Sequence, residues 1–499
     1  MEMKFNHRPL AFMQPLLTMA QTQEQTQELK LPDGYPDIGR ILGCWGQPVI
    51  RGKEWRRTSM STNGGVMAWI LYAPEDGSEV RILDAWMPFQ ARWELPKDAE
   101  DGVISVMPLL SELDARNVSA RKMILRAVVD ILGQAMKYTT CEVSEPPVLP
   151  EDVQLLTKNY PVELPLEAGE RQLRMDELLV MPSDKPSIHR VVSYKLIPCV
   201  QEQKVLANRL VFRGNCRLLL RYLAQNGDFV TASFEIPFSD YTELRDDHDI
   251  SATSWIAPLV TALEVDMDEN NQLQMRAAIA AQYTVFDRQM LSVTEDAYSP
   301  YRDVVLQTGE LNLPLLLDRR ELEIPANASL QTDVQQVFDT TVRNKCPYLI
   351  TENGSMVAAL NGQYQTLFRD SEGNLASDSV HFEQGIPYDC ADESRVELWP
   401  GCMSKCECIQ SIGGLNFKAD YSITAFSYSA SPIKMVTGLE LSEQKQSNPD
   451  RPSLIVKRVG EEDLWTLAKR YGSTVDAIRA ANQLVQEPEE GMMLLVPVC

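Results

Sequence analysis

The chain has 499 residues, 44% of them hydrophobic, with eight tryptophans and a formal charge of -23. That length exceeds one ordinary core and predicts three or four domains, while the apolar content excludes long disorder. The acidic balance excludes a phosphate-backbone reader, which needs clustered Lys and Arg, so nucleic acid is not an expected partner.

Residues 1–29 read as a separate N-terminal segment. Its apolar part, Leu10 to Ala20, is interrupted by Gln14 and Pro15. It is too short to span a bilayer and makes a poor secretory h-region. The expectation is a cytosolic protein without a transmembrane span.

LPDGYPDIGRIL, residues 31 to 42, then opens a first unit. Its prolines fix φ and forbid a helix before the first strand. Asp76-Gly77 supplies the positive φ of a tight turn, and MPF follows at 87–89. RKMILRAVVDILGQAM, residues 121 to 136, has a composition that favours helix when taken alone. A connector, SEPPVLPEDVQLLTKNYPVELP, carries apolar positions of its own.

The landmarks then return. MPSDKPSIHRVV repeats Pro32, Pro36, Ile38 and Arg40 as Pro182, Pro186, Ile188 and Arg190. CRLLLRYLAQNGDFVTASFEIPF reads as strand, turn, strand, with its IPF at 236–238. A third round begins at IPANASLQTDVQ, which keeps Pro325 but neither the second proline nor the arginine. It continues through Glu372-Gly373-Asn374 to IPY at 386–388. Aligning Arg126, Arg276 and Lys418 places apolar residues at the same alternate positions. These are Ala127, Val129 and Ile131; Ala277, Ile279 and Ala281; and Ala419, Tyr421 and Ile423. A period of two predicts strands, against the helix propensity of the first copy.

The expected fold is therefore mainly β. Three tandem, β-sandwich-like units form a row over 30–145, 146–300 (connector included) and 301–440, the last with a degenerate start. A polar linker follows at 441–453, then a different module at 454–499. There Leu454 to Val459 predicts a short strand, and Asp463 caps a helix with Leu464, Leu467, Ala468 and Tyr471 inward. Gly472 ends that helix, Thr474 caps a second carrying Val475, Ile478 and Ala481, and Gly491 precedes a strand from Leu494 to Pro497.

No catalytic constellation emerges. His7, His189, His248 and His381 are scattered, and His-Glu-x-x-His, Gly-x-Ser-x-Gly and P-loop patterns are absent. ELRDDHDISATSW, residues 243 to 255, reads as a solvated loop. Cys402, Cys406 and Cys408 form a C-x3-C-x-C group without a fourth zinc ligand nearby, and so read as reduced thiols. Cys499 carries no mark of catalysis. The expectation is a non-enzymatic chain with no cofactor and no metal.

The proline-anchored lead-in, the hairpin with its central Gly and the I-P-F exit, set in tandem, resemble the SPOCS domain of endospore-forming bacteria. Leu464 to Leu484 and Gly491 to Pro497 resemble a LysM domain through L-W-x-L-A-x-x-Y-G-x-T-V-x-x-I-x-x-x-N-x-L and G-x-x-L-x-V-P. One departure is that Glu461, Glu462 and Asp463 stand where that family has Gly-Asp-Thr, with Gly460 one place early. The resemblance implies a shallow groove for N-acetylglucosamine polymers at Glu461, Glu462, Asp463, Asn482, Gln483 and Leu484. Trp465 is either a sugar-stacking platform or a core filler. Three adjacent acids suit a protein better than a neutral glycan, since a covered carboxylate needs a donor. The whole arrangement resembles the SipL-type family of spore-coat morphogenetic proteins. That implies a mother-cell cytosolic scaffold at the forespore surface, docked to the ATPase of the coat's basement layer or to another spore-coat protein. The alternative is a wall-associated protein that binds peptidoglycan.

Overall fold

The computed structural model describes residues 2–96, 99–267, 272–390, 394–404, 406–444, 452–460, 462–484 and 486–498. A short β1 (Glu2–Lys4) precedes β2 (Asn6–Lys30), β3 (Ile38–Arg56), β4 (Ser59–Pro74), β5 (Arg81–Glu94), β6 (Val103–Ser119) and β7 (Lys122–Glu145). β3, β4 and β5 form an antiparallel meander, while β7 lies between β2 and β6 in a second sheet. The two sheets face each other across Met60, Ile70, Trp93, Leu125 and Ile131. β8 (Gln154–Leu179), β9 (Ile188–Leu206), β10 (Arg209–Ala224), β11 (Phe229–Glu243), β12 (Thr253–Met267) and β13 (Leu273–Tyr298) repeat the order and both sets of pairings.

The stretch with helix-favouring composition, residues 121–136, is thus strand. Burial decides it: Ala127, Val129 and Ile131 and their six counterparts in the later rounds are all buried, as alternation demands. The paired lead-ins also fold alike. Tyr35 and Lys185 close the same turn onto the Pro32 and Pro182 carbonyls. Tyr72 Oη donates to the Pro36 carbonyl at 3.0 Å, and Tyr222 Oη to that of Pro186 at 2.8 Å. The second proline therefore holds an acceptor where a strand tyrosine reaches it.

The third round runs through β14 (Val304–Leu311), β15 (Leu316–Pro325), β16 (Ala328–Gln331), β17 (Gln336–Asn344), β18 (Tyr348–Glu352) and β19 (Ser355–Arg369). It continues with β20 (Leu375–Pro387), β21 (Ser394–Met403), β22 (Glu407–Ser411), β23 (Gly414–Lys418), β24 (Asp420–Ser429) and β25 (Ile433–Leu441). β14, β15 and β16 pair in turn with β25, β24 and β23 where the earlier units have one long ladder. Pro314, Pro325 and Pro432 lie at or beside the breaks; proline has no N–H to give a ladder.

Several sequence expectations change here. Residues 6–30 are not a separate segment but the first strand of the first unit, and the connector becomes β8, the first strand of the second. Pro325 is the last paired residue of β15, opposite Asp420, so it is not the counterpart of Pro32 in a lead-in loop. IPY at 386–388 is displaced too. Phe89 and Phe238 lie opposite Gly64 and Gly214, but the residue opposite Gly362 is Phe382. Finally, ELRDDHDISATSW is no solvated loop at its histidine. His248 is buried between Glu167 at 3.6 Å and Asp287 at 3.9 Å.

The units do not form a row. Leu10, Phe12 and Val143 of the first, Val162, Leu164, Leu291 and Val293 of the second, and Leu311, Leu313, Ile433 and Met435 of the third share one core. A second shared cluster brings Leu132 against Trp255 and Phe286 and against Trp399, Phe426 and Tyr428. The Trp255 ring lies 4.8 Å from Trp399 and 5.2 Å from Phe426. Each such buried side chain contributes about 1.5–3 kcal/mol. The chain start closes the arrangement, since β1 pairs with β25 of the third unit. Polar side chains stitch the seams: Gln282 donates to the Val106 carbonyl at 2.8 Å and accepts from its N–H at 2.7 Å.

At one seam all three units meet around Asp339. Its carboxylate faces Arg221 Nε at 2.8 Å, an ionic contact rather than an aligned hydrogen bond, with side chains 5% and 3% exposed. Trp45 Nε1, Thr231 Oγ1 and Thr341 Oγ1 donate to the same carboxylate at 2.8, 3.1 and 3.1 Å. Burial pushes this carboxyl up, but Arg221 and the donors outweigh it and hold the group below its ordinary value.

Asp339→Ala leaves Arg221 buried and unpaired, and chemical denaturation will show a loss of about 3–5 kcal/mol. Gly214→Ala puts a methyl 2.0 Å from the Cys199 carbonyl oxygen and will cost about 1–3 kcal/mol in the same measurement. Gly460→Ala, which meets open space, will leave the midpoint unchanged.

Candidate functional site

The C-terminal module comprises β26 (Leu454–Arg458), α1 (Leu464–Tyr471), α2 (Val475–Asn482) and β27 (Met493–Pro497), with β26 and β27 antiparallel. Its caps are those the sequence predicts. Asp463 accepts from the Thr466 N–H at 2.8 Å, Thr474 Oγ1 from the Ala477 N–H at 3.1 Å, and Gly472 ends α1 at φ 62°. The Thr466 donors hold the Asp463 carboxyl below its ordinary value.

The residues assigned to the groove are engaged within the module. Glu461 lies outside the described residues. Glu462 is ion-paired with Arg470. Asn482 spends its whole amide on scaffolding: Nδ2 donates to the Ile478 and Leu495 carbonyls, each at 2.7 Å, and Oδ1 accepts from the Leu495 N–H at 2.8 Å. Gln483 takes a left-handed conformation, φ 54°, as the cap of α2. Leu484 bonds through its N–H to the Arg479 carbonyl and packs on the small core.

Trp465 fits neither expected role alone. Its ring packs on the module's core, but Nε1 reaches out of the module to Asp296 Oδ2 at 2.8 Å. Lys469 Nζ meets both oxygens of the same carboxylate at 2.7 and 2.8 Å. Tyr298 lies edge-on to Trp465 at 4.8 Å and donates to the Ser473 carbonyl at 2.9 Å. Asp296 and Tyr298 end β13, so the first helix is docked on the second unit and its tryptophan is half-buried against it. Sequence reasoning had no signal for this, since the partner lies about 170 residues earlier.

The opposite side is bare. On the β26–β27 sheet, Ile455, Leu494 and Val496 face inward, while Leu454, Val456, Met493 and Leu495 are 47%, 57%, 57% and 38% exposed. Val456 pairs directly with Leu495, which joins the apolar side chains across the outer face, and the exposed Arg458, opposite Met493, borders them. The unbroken apolar runs Leu454-Ile455-Val456 and Met493 to Val496 already put apolar side chains on both faces, but which face is left uncovered was settled only by the packing.

Elsewhere, Cys402 separates from Cys406 and Cys408 and lies instead beside Cys199 of the second unit. A hydrogen bond from Cys402, opposed by burial and aided by Arg217, lowers the Cys199 thiol, while Cys402 is held up. No group of three metal-ligating side chains occurs among the described residues. No helix among them is long and apolar enough to cross a membrane. No protein-family model, curated protein or solved structure matches the chain.

Asp296→Ala removes the shared acceptor of Trp465 and Lys469, a loss of about 1.5–3 kcal/mol for hydrogen bonds to a charged group. Limited proteolysis will release the C-terminal module faster in this variant, while the far larger unit cores keep their melting temperature.

Proposed function

We propose that the protein is a non-enzymatic scaffold of endospore coat assembly, made of three SPOCS units and a LysM domain. Its LysM domain docks to the morphogenetic ATPase of the coat's basement layer at the forespore surface, in the mother-cell cytosol. The observation that carries this reading is the apolar outer face of Leu454, Val456, Met493 and Leu495. Contiguous exposed apolar area on a small folded module marks a protein-binding surface. A neutral glycan instead needs free hydrogen-bond groups beside a ring, and here Glu462, Asn482 and Trp465 are already bonded.

The mechanism is adhesion. One side of the module is fixed to the body through Asp296 and Tyr298, so the other side is presented in a set orientation. Against a polymeric partner, many weak contacts of this kind sum to a stable layer. The three units, sharing their cores, act as one stiff body behind that contact.

Val456→Asp with Leu495→Asp places charges in the centre of the patch. Binding of the full chain to the purified basement-layer ATPase will weaken roughly tenfold or more, as for central contact residues. Both proteins will fail to sediment with bare peptidoglycan. A chain that sediments with peptidoglycan and ignores the ATPase overturns the reading, as does a fluorescent fusion that forms no shell around the forespore.

A further inference from the structure

The seam around Asp339 borders a cavity of about 1120 Å³ lined by all three units. Five cations line it: Lys195 on β9, Arg217 and Arg221 on β10, Arg343 on β17, and Lys185 in the loop before β9. Strand geometry gathers the first three. Lys195 stands opposite Leu219, and Arg217 and Arg221 flank that leucine two residues away on either side, on the same face.

Five cations face four carboxylates there, Asp184, Glu235, Glu321 and Asp339, and the pairing is uneven. Asp339 neutralises Arg221. Arg343, 3% exposed, bonds through Nη2 to the Cys44 carbonyl at 2.6 Å and to Gln365 Oε1 at 2.9 Å, yet its Nη1 has no partner. Arg217 bonds through Nη2 to the Met403 carbonyl at 2.8 Å, and its Nε is unpartnered. Lys195 has no hydrogen bond or ion pair among the described residues. Of the remaining carboxylates on the wall, all exposed, Glu235 stands directly across the strand pair from Arg217, and Glu321 is taken up by the Ser422 and Thr424 hydroxyls. Burial and the like charges of Arg221, Arg343 and Arg217 push the Lys195 ammonium down to about 8. Lys195 and Arg217 are half-buried on the cavity wall and Arg343 is fully buried; a buried guanidinium N–H is seldom left without an acceptor.

We propose that this cavity binds a small oxyanion of two or more charges, held between Lys195, Arg217 and the free Nη1 of Arg343. Phosphoryl and carboxylate groups share the geometry that guanidinium and ammonium donors recognise. The volume admits a small phosphorylated or polycarboxylate metabolite rather than a bare ion. Such a ligand would touch the second and third units at once and so tie their seam to its own concentration.

The test uses the full chain with sodium pyrophosphate and with sodium citrate, each against sodium chloride of equal ionic strength. Millimolar pyrophosphate or citrate will raise the melting temperature above the chloride control and titrate calorimetrically to one site. Whichever binds tighter identifies the ligand class. Lys195→Met will lower that affinity roughly tenfold or more, while its melting temperature without anion stays equal or rises, because a like-charge repulsion is gone. If that variant does not fold, Arg217→Gln gives the same reading. The site is overturned if neither anion outperforms chloride, or if a folded variant binds as tightly as the parent.

Discussion

Leu10 and Phe12, Val162 and Leu164, and Leu311 belong to the first strands of three successive units, with Leu313 just past the end of β14. They leave water only by facing one another and the last strands, through Val143, Val293 and Ile433. Each two-sheet unit has a core of its own, but the ends of its longest strands project past that core and would be bare if the unit stood alone. Burying them together fixes where the units sit, and with that fixed, everything at the seams follows. Trp45 is brought onto Phe229 at 5.6 Å, Trp255 onto Trp399, and β1 onto the last strand of the third unit.

The same constraint explains the polar content of the seams. Strand residues that point away from a unit's own core face solvent in an isolated sandwich, and there Arg217 and Arg221 are unremarkable surface residues. Once the units close on each other those faces become interior, and each polar side chain needs an acceptor. Gln282, Asp339 and Glu397 supply some of them: Gln134 Nε2 donates to Glu397 Oε2 at 2.9 Å across the first and third units. The excess of cations around Lys195 is the place where the internal supply of acceptors runs out.

The terminal module follows a different logic. A sheet of two strands and two short helices has a core of few residues, led by Leu464, Leu467, Ile478, Leu494 and Val496. Tyr298 enters that core from the second unit, so part of the module's stability is borrowed from the body. Docking through α1 leaves the β26–β27 sheet as the free surface. An orientation set by one carboxylate and one aromatic ring thus decides which face a partner meets.

Alternation in the strands around Arg126, Arg276 and Lys418, the glycine turns and the caps at Asp463 and Thr474 were all legible in the sequence. They are local: each depends on residues within one hairpin or one helical turn. The polar alternation of QTQEQTQELK gave no apolar signal, so the first strand of the first unit was hidden until its partner β7 supplied the ladder. The drift of IPY and Pro325 in the third unit was hidden for a related reason, because proline spacing marks a break in a ladder without saying which strand is broken. The closing of three units around shared cores, the half-burial of Trp465 and the gathering of Lys195, Arg217 and Arg343 were settled only by tertiary structure. They join side chains over a hundred residues apart, and no local periodicity carries the free energy of a surface that exists only once two folded sheets have met.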